Sequence, residues 1–318
     1  MAKPEQPGIK GIHLLFITPL KEDYSLNEEA VREEVEWCVQ NGLQGIWAGG
    51  YIGEWNYLEE EMKKKLYEII IDQNRGRLYI SAGAHGINSA QAIRLVDHAE
   101  AIGCDSAWIS PPTPRKLTED EIFGHYKAIH EATRLPLGLY NTYPKNIYVR
   151  PSLMVRIAEL ERVVTVKDAL GDIVHIGSLY NDCKKAIEEG FEILGVPYNM
   201  LPHMLYGGAG VTSNNWDAAI CLELDKAVKN GDIKKACDLQ LALSASWPFL
   251  FSEALAKQAY GAKIDSSGIG VQKLKASLCM GIDMGPPMQP FAPASEAEIA
   301  FAKASLESLP IKVKPFAK

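Results

Sequence analysis

The run Val163-Val164-Thr165-Val166 ends in Lys167-Asp168. An amine at the end of an apolar run is withdrawn from water, which disfavours its charged form and lowers its pKa. The neutral amine is a nucleophile that can condense with a carbonyl to an imine. The competing reading is a lysine that snorkels to solvent or pairs with Asp168. Tyr140 closes a similar run, Leu135–Tyr140. A phenol there can move protons at an imine carbon or a substrate hydroxyl; otherwise it is an aromatic filler, and Asn141 beside it reads as a loop-fixing donor. In Gly49-Gly50-Tyr51-Ile52-Gly53-Glu54 the glycines let backbone N–H groups converge on an anion such as a substrate carboxylate, or they simply turn the chain. His85, within Gly83-Ala84-His85-Gly86, is either an acid or base or a satisfied structural histidine. The other histidines are isolated, with no H-x-H or H-E-x-x-H spacing, so no metal centre is expected.

These residues sit at the ends of short β-rich runs that alternate with helical periodicity. Candidate strands are Ile12–Ile17, Gly45–Ala48, Leu78–Ala82, Ser106–Ser110, Leu135–Tyr140, Val163–Lys167, Glu192–Leu194 and Val211–Ser213. Between them, Val31, Val35, Cys38 and Val39 share one helical face, as do Met62, Leu66, Ile69 and Ile70, and then Ile93, Val96 and Ala99. Capping boxes are read at Ser25–Glu28, Thr118–Glu121 and Ser295–Glu298, and a left-handed helix stop at Gly103. Eight strand–helix units of about 30 residues predict an α/β fold of the (β/α)8 barrel type. A doubly wound sheet would show a glycine fingerprint after its first strand, where this chain has Thr18-Pro19-Leu20. The expected organisation is a single domain, with the barrel over 8–230 and C-terminal helices packed on it over 231–318, at roughly 232–261, 267–281 and 295–308. In such a barrel the site is built at the C-terminal ends of the strands. Those ends are Thr18-Pro19, Gly49–Glu54, Gly83–Gly86, Pro111–Arg115, Tyr140–Asn146, Lys167-Asp168, Gly195–Asn199 and Ser213–Asn215.

Composition narrows the function classes. The 318 residues carry a formal charge of −7, with 47% hydrophobic and 23% charged residues. There is no basic stripe of the kind that binds nucleic acid, and no apolar run of about 18 residues for a membrane span. The N-terminal segment has no apolar core, so no secretory signal is expected. Six scattered cysteines with no C-x-x-C pair suggest reduced thiols in a cytoplasmic protein.

Together these positions resemble the dihydrodipicolinate synthase / N-acetylneuraminate lyase superfamily over nearly the whole chain. Thr18-Pro19 looks like the T-P of strand one, Gly50–Glu54 like the G-[TS]-T-G-E loop, and Tyr140-Asn141 like the Y-N of strand five. Val166-Lys167-Asp168 looks like the K-D of strand six, Gly207–Val211 like a G-A-x-G motif, and Gly285-Pro286-Pro287-Met288 like a late P-P-[LM]. The resemblance implies a metal-independent, class I lyase or aldolase acting on a 2-oxo acid of pyruvate type. It makes Lys167 the imine lysine and Tyr140 the proton-transfer phenol, with no cofactor beyond the covalent imine. It implies a homodimer or homotetramer with active sites near the tight interface, and neither a nucleic-acid nor a membrane partner.

The departures matter as much. The two loop hydroxyl positions hold Tyr51 and Ile52, and Thr113 stands near the family's second relay tyrosine. Tyr51 is therefore read as a replacement phenol. Any carboxylate must rely on backbone N–H groups around Gly50, Ile52 and Gly53. Lys145 is the one cation near the place of the synthases' arginine, and Gly195–Asn199 lacks the acidic pair of the sialic acid lyases. Neither name-giving activity is therefore expected. Gly195 and Asn214 complete the expected substrate contacts. Trp55, Tyr143 and Tyr198 suggest an aromatic or apolar substrate portion, or packing. The alternatives are a 2-keto-3-deoxy sugar acid dehydratase using the same lysine, and a non-catalytic barrel that binds a small molecule. A metal-dependent barrel aldolase is disfavoured by the isolated histidines.

Overall fold

A computed structural model describes residues 3, 7–112, 116–142, 149–170, 172–245, 264–265 and 268–317. Eight parallel strands close into one barrel in chain order. They are β1 (Gly11–Leu15), β2 (Gly45–Ala48), β3 (Tyr79–Gly83), β4 (Ser106–Ile109), β5 (Leu137–Asn141), β6 (Val163–Asp168), β7 (Glu192–Gly195) and β8 (Gly210–Ser213). Every candidate strand is present, β2 at the expected bounds and the others with ends displaced by at most two residues, as β1 shows by stopping at Leu15 rather than Ile17.

Helices α1 (Glu28–Gln40), α2 (Glu60–Asn74), α3 (Ser89–Ile102), α4 (Glu119–Ala132) and α5 (Pro151–Ala158) follow the first five strands in turn. α6 (Ile173–Asp182) and α7 (Lys184–Glu188) follow β6, α8 (Met200–Leu205) follows β7 and α9 (Ala218–Lys229) follows β8. Beyond the barrel run α10 (Ile233–Ala245), α11 (Ile269–Met280) and α12 (Glu296–Glu307). The part of the expected 232–261 helix past Ala245 lies outside the described residues.

Thr118 and Ser295 form the expected capping boxes, and Gly103 ends α3 at φ 88°. The box at Ser25 is not formed. The cap of α1 is Asn27, whose side chain accepts from the Ala30 N–H, while the Ser25 hydroxyl turns to Asp23. Asparagine caps as well as serine does, so the helix starts two residues later than the S-x-x-E pattern implied. No described helix is long and apolar enough to cross a membrane.

The strand registers set which side chains fill the barrel. Trp108 of β4 lies beside Gly138 of β5, and Tyr140 beside Lys167. A Cβ at Gly138 would stand 2.5 Å from the Trp108 indole, so glycine there is the space the indole occupies. Gly138→Ala is accordingly expected to lower stability by about 1–3 kcal/mol through overpacking. Urea unfolding followed by tryptophan fluorescence measures it, and an unchanged midpoint would show that Trp108 can move aside freely.

Candidate active site

Lys167 stands near the C-terminal end of β6, 3% exposed. It does not reach the rim, and it does not pair with its neighbour. Asp168 points to the opposite side of the strand, where its Oδ1 accepts from Asn141 Nδ2 at 3.0 Å and meets His175 Nε2 at 3.0 Å. Both bland readings of Lys167 are thereby removed. Its Nζ lies 4.7 Å from the ring centre of Trp47 and 4.8 Å from that of Tyr140. Burial lowers its pKa to about 7, so a large share of the amine is neutral at neutral pH.

Tyr140, one strand away, is equally buried. Burial pushes its hydroxyl up to about 12; hydrogen bonds from the Thr142 hydroxyl and the Tyr51 backbone N–H oppose that shift, and the Tyr51 side chain adds to it. The phenol is thus protonated and fixed against the glycine loop. Asn141 serves the strand's end: its Nδ2 donates to Val149 O at 3.1 Å and its Oδ1 accepts from the Val149 N–H at 2.8 Å. It ties the end of β5 to Val149.

The glycine loop is a single 3-10 turn, Tyr51–Gly53. Gly53 N–H donates to Gly50 O and Glu54 N–H to Tyr51 O, each at 3.0 Å. Those two donors are spent, and the Tyr51 N–H is directed at the Tyr140 oxygen, which narrows the expected nest to the Ile52 N–H. Gly50 lies against Trp47 and Leu15, and a Cβ on Gly53 would stand 2.9 Å from Phe16 O. The Ile52 side chain is buried, whereas the Tyr51 side chain is 42% exposed. Burial, with Asp265 and Tyr57 adding, raises the Tyr51 pKa.

Two features escaped the sequence reading. The first is an aromatic floor. Trp47 and Trp108 pack with ring centres 5.0 Å apart, and Trp47 meets Tyr140 edge-on at 4.7 Å. Alternation along β2 and β4 could have placed both indoles inward, but their contact depends on the register. The second is a buried anchor behind the glycine loop. Glu54 takes the left-handed conformation, φ 61°. Its Oε1 accepts from Lys273 Nζ of α11 at 2.8 Å, and its Oε2 from the Met288 N–H. Lys273 Nζ also donates to Pro286 O at 2.7 Å. Two motifs read separately, the loop's final glutamate and the late Pro-Pro-Met, are therefore one tie. On the other side Thr18 Oγ1 donates to Gly53 O at 2.8 Å, so Thr18-Pro19 braces the same turn.

His85 faces the same mouth from the end of β3, with its ring 4.6 Å from Trp55 and 5.6 Å from Tyr140. It is buried, yet neither ring nitrogen has a hydrogen-bond partner among the described residues. Among the described residues, then, nothing satisfies it as a structural histidine would be. Of the remaining expected contacts, Gly195 ends β7 where a Cβ would meet His203 at 2.6 Å. Asn214 gives its backbone N–H and its Nδ2 to Asp217, each at 2.8 Å. The Tyr198 hydroxyl donates to Ala169 O at 2.7 Å. Thr113, Tyr143 and Lys145 lie outside the described residues. Among the described residues no three His, Cys, Asp or Glu side chains are grouped to hold a metal ion.

The model of the dihydrodipicolinate synthetase family matches residues 8–308. The chain belongs to that family. Members similar to it include the 4-hydroxy-tetrahydrodipicolinate synthases of Mesorhizobium japonicum, 30% identical over 73% of this chain and 80% of the relative, and of Acidiphilium cryptum, 27% identical over 93% and 98%. Among solved structures, a prophage protein of the family from E. coli K12, in complex with pyruvate, superposes with a TM-score of 0.83 at 23% identity, covering 94% of this chain and 98% of that one. The N-acetylneuraminate lyase of Mycoplasma synoviae superposes at 0.79 and 19% identity, covering 95% and 98%. At those identities the superpositions show the shared barrel. Membership makes this chain an enzyme of a metal-independent lyase family.

Proposed function

We propose that this chain is a Schiff-base-forming lyase that makes or breaks a C–C bond in a 2-oxo acid of pyruvate type. The observation that carries the reading is the Lys167 amine, held without an ion pair among the described residues in a buried aromatic box at a pKa of about 7. A neutral amine attacks the 2-oxo carbon, and loss of water gives an iminium that accepts the electrons of the bond being broken. Tyr140 moves protons at the imine carbon and C3. The Ile52 N–H, at the start of the glycine turn, holds the carboxylate. The covalent imine is the only cofactor in this reading.

Trapping tests it. Borohydride with pyruvate is expected to add one reduced adduct to the intact mass, mapping to Lys167. An adduct on another lysine, or none with any 2-oxo acid, removes the reading.

Tyr51 deepens the relay. Its backbone N–H reaches the Tyr140 oxygen, and its phenol acts electrostatically on that hydroxyl. Tyr51→Phe is expected to lower kcat by about 100-fold, the lower end for one lost acid–base group, without loss of trapping; an unchanged kcat would end the assignment. Tyr51 and Tyr57 each leave 42% of their surface open at the mouth, which suits a homodimer or homotetramer that covers them. Sedimentation velocity reads this directly. The free cysteines fit a cytoplasmic setting.

A further inference from the structure

We infer that His85 is a catalytic residue of the C–C step, taking and returning the proton of the oxygen on C4 of a 4-hydroxy-2-oxo acid. The inference rests on the imine reading above and adds the group that handles the second half of the substrate.

The placement follows from what the other walls already do. Strand β6 supplies the amine and β5 the phenol, and the turn after β2 supplies the Ile52 N–H for the carboxylate. Trp47 and Trp108 close the way down. The mouth between β3 and β4 is a further wall open to the chain beyond C3. There Gly83 pairs with Trp108 in register, so two residues further on His85 and Ser110 come up side by side. Both are 1% exposed, and His85 Nδ1, His85 Nε2 and Ser110 Oγ have no hydrogen-bond partner among the described residues. A buried imidazole and hydroxyl left unpaired cost stability unless a ligand satisfies them. An alcohol oxygen needs one acceptor and accepts one donor, which is what an imidazole and a serine offer. Tyr140, Lys63, Lys167 and His125 face His85; burial first, then Lys63, Lys167 and His125, hold the imidazole well below its ordinary pKa. It is therefore neutral and can act as a base.

In cleavage the substrate is bound as the iminium on Lys167. An unprotonated His85 nitrogen takes the C4 hydroxyl proton. The O–H pair becomes the second bond of an aldehyde, the C3–C4 pair moves into C2–C3, and the iminium nitrogen becomes the neutral nitrogen of an enamine. The imidazolium returns its proton to water as the aldehyde leaves, and Tyr140 serves the protonation of C3. Synthesis runs the same steps backwards.

Three readouts on His85→Gln and His85→Asn separate the steps: borohydride trapping of pyruvate, exchange of pyruvate methyl protons with D2O by NMR, and pyruvate release from 4-hydroxy-2-oxoglutarate and 4-hydroxy-2-oxo-4-phenylbutanoate. Trapping and exchange are expected to persist in both variants, while C–C cleavage falls about 10²–10⁴-fold. Cleavage at the unaltered rate would make His85 structural. Loss of exchange together with cleavage in both variants would overturn the assignment to C4. So would an unaltered enzyme that exchanges pyruvate protons but cleaves neither hydroxy acid. Failure of the unaltered enzyme to trap pyruvate is a different result, and it removes the imine reading itself.

Discussion

Lys167→Met is expected to abolish imine trapping, to lower turnover by at least about 10⁴-fold, the scale of losing a nucleophile on which the other groups depend, and at the same time to make the protein more stable. Methionine has nearly the lysine's shape without its charge, and it suits a box made of Trp47 and Tyr140 rings. In the native state burial lowers the Lys167 pKa from 10.5 to about 7. In the unfolded chain it titrates near its ordinary value. Between about pH 7 and pH 10.5 the unfolded chain therefore binds a proton that the folded protein does not, and native stability rises with pH across that window. Below about pH 7 the folded protein carries a buried charge and the full penalty applies. The gain from Lys167→Met should thus be greatest at pH 6, roughly 1–4 kcal/mol by comparison with other buried charges replaced by apolar groups, and should vanish near pH 11. Urea titrations of both proteins at pH 6 and at pH 9.5 measure the two ends of this trend. The same pKa sets an activity limb: kcat/KM should fall about tenfold per pH unit below pH 7, because only the neutral amine attacks. A variant that is inactive and also less stable at pH 6 would mean that Lys167 is a structural cation.

The sequence made Lys167 and Tyr140 legible because each closes an apolar strand, and strand ends are where a barrel keeps its chemistry. Alternation and turn residues sufficed to place all eight strands. What stayed hidden depended on register or on distance along the chain. Gly138 reads as a weak point in a strand until β4 sets Trp108 against it. The glycine loop reads as four residues of open backbone until its own 3-10 hydrogen bonds consume the later donors. His85 looked ordinary in isolation, and only the absence of partners for both its nitrogens among the described residues sets it apart. The cap at Asn27 was missed for a local reason, since serine and asparagine two residues apart are equally good caps and Asp23 had already engaged Ser25. The pairing of Glu54 with Lys273 spans 219 residues, and no local pattern announces a contact of that reach.

That pairing should give the largest single loss of stability outside the barrel interior. Glu54 and Lys273 are both almost fully buried, and their carboxylate and ammonium satisfy each other together with Pro286 O and the Met288 N–H. Removing one partner leaves the other charged, dry and alone. Glu54→Ala is expected to cost about 3–5 kcal/mol for that reason, and Lys273→Ala a similar amount. Replacing both by apolar residues of similar volume, Glu54→Leu with Lys273→Met, removes the stranded charge and should recover most of the loss. Denaturant unfolding of the four proteins closes the cycle. Additive losses would show that the two groups act independently, against the contact seen here. Activity should follow a different pattern. The carboxylate also holds the Met288 backbone against the loop, and Thr18, beyond the end of β1, holds the same loop from the other side. The double variant should therefore be stable yet bind pyruvate poorly, because the Ile52 N–H loses one of the two braces that aim it. A double variant with restored stability and an unchanged KM for pyruvate would mean that the Thr18 brace alone sets the turn.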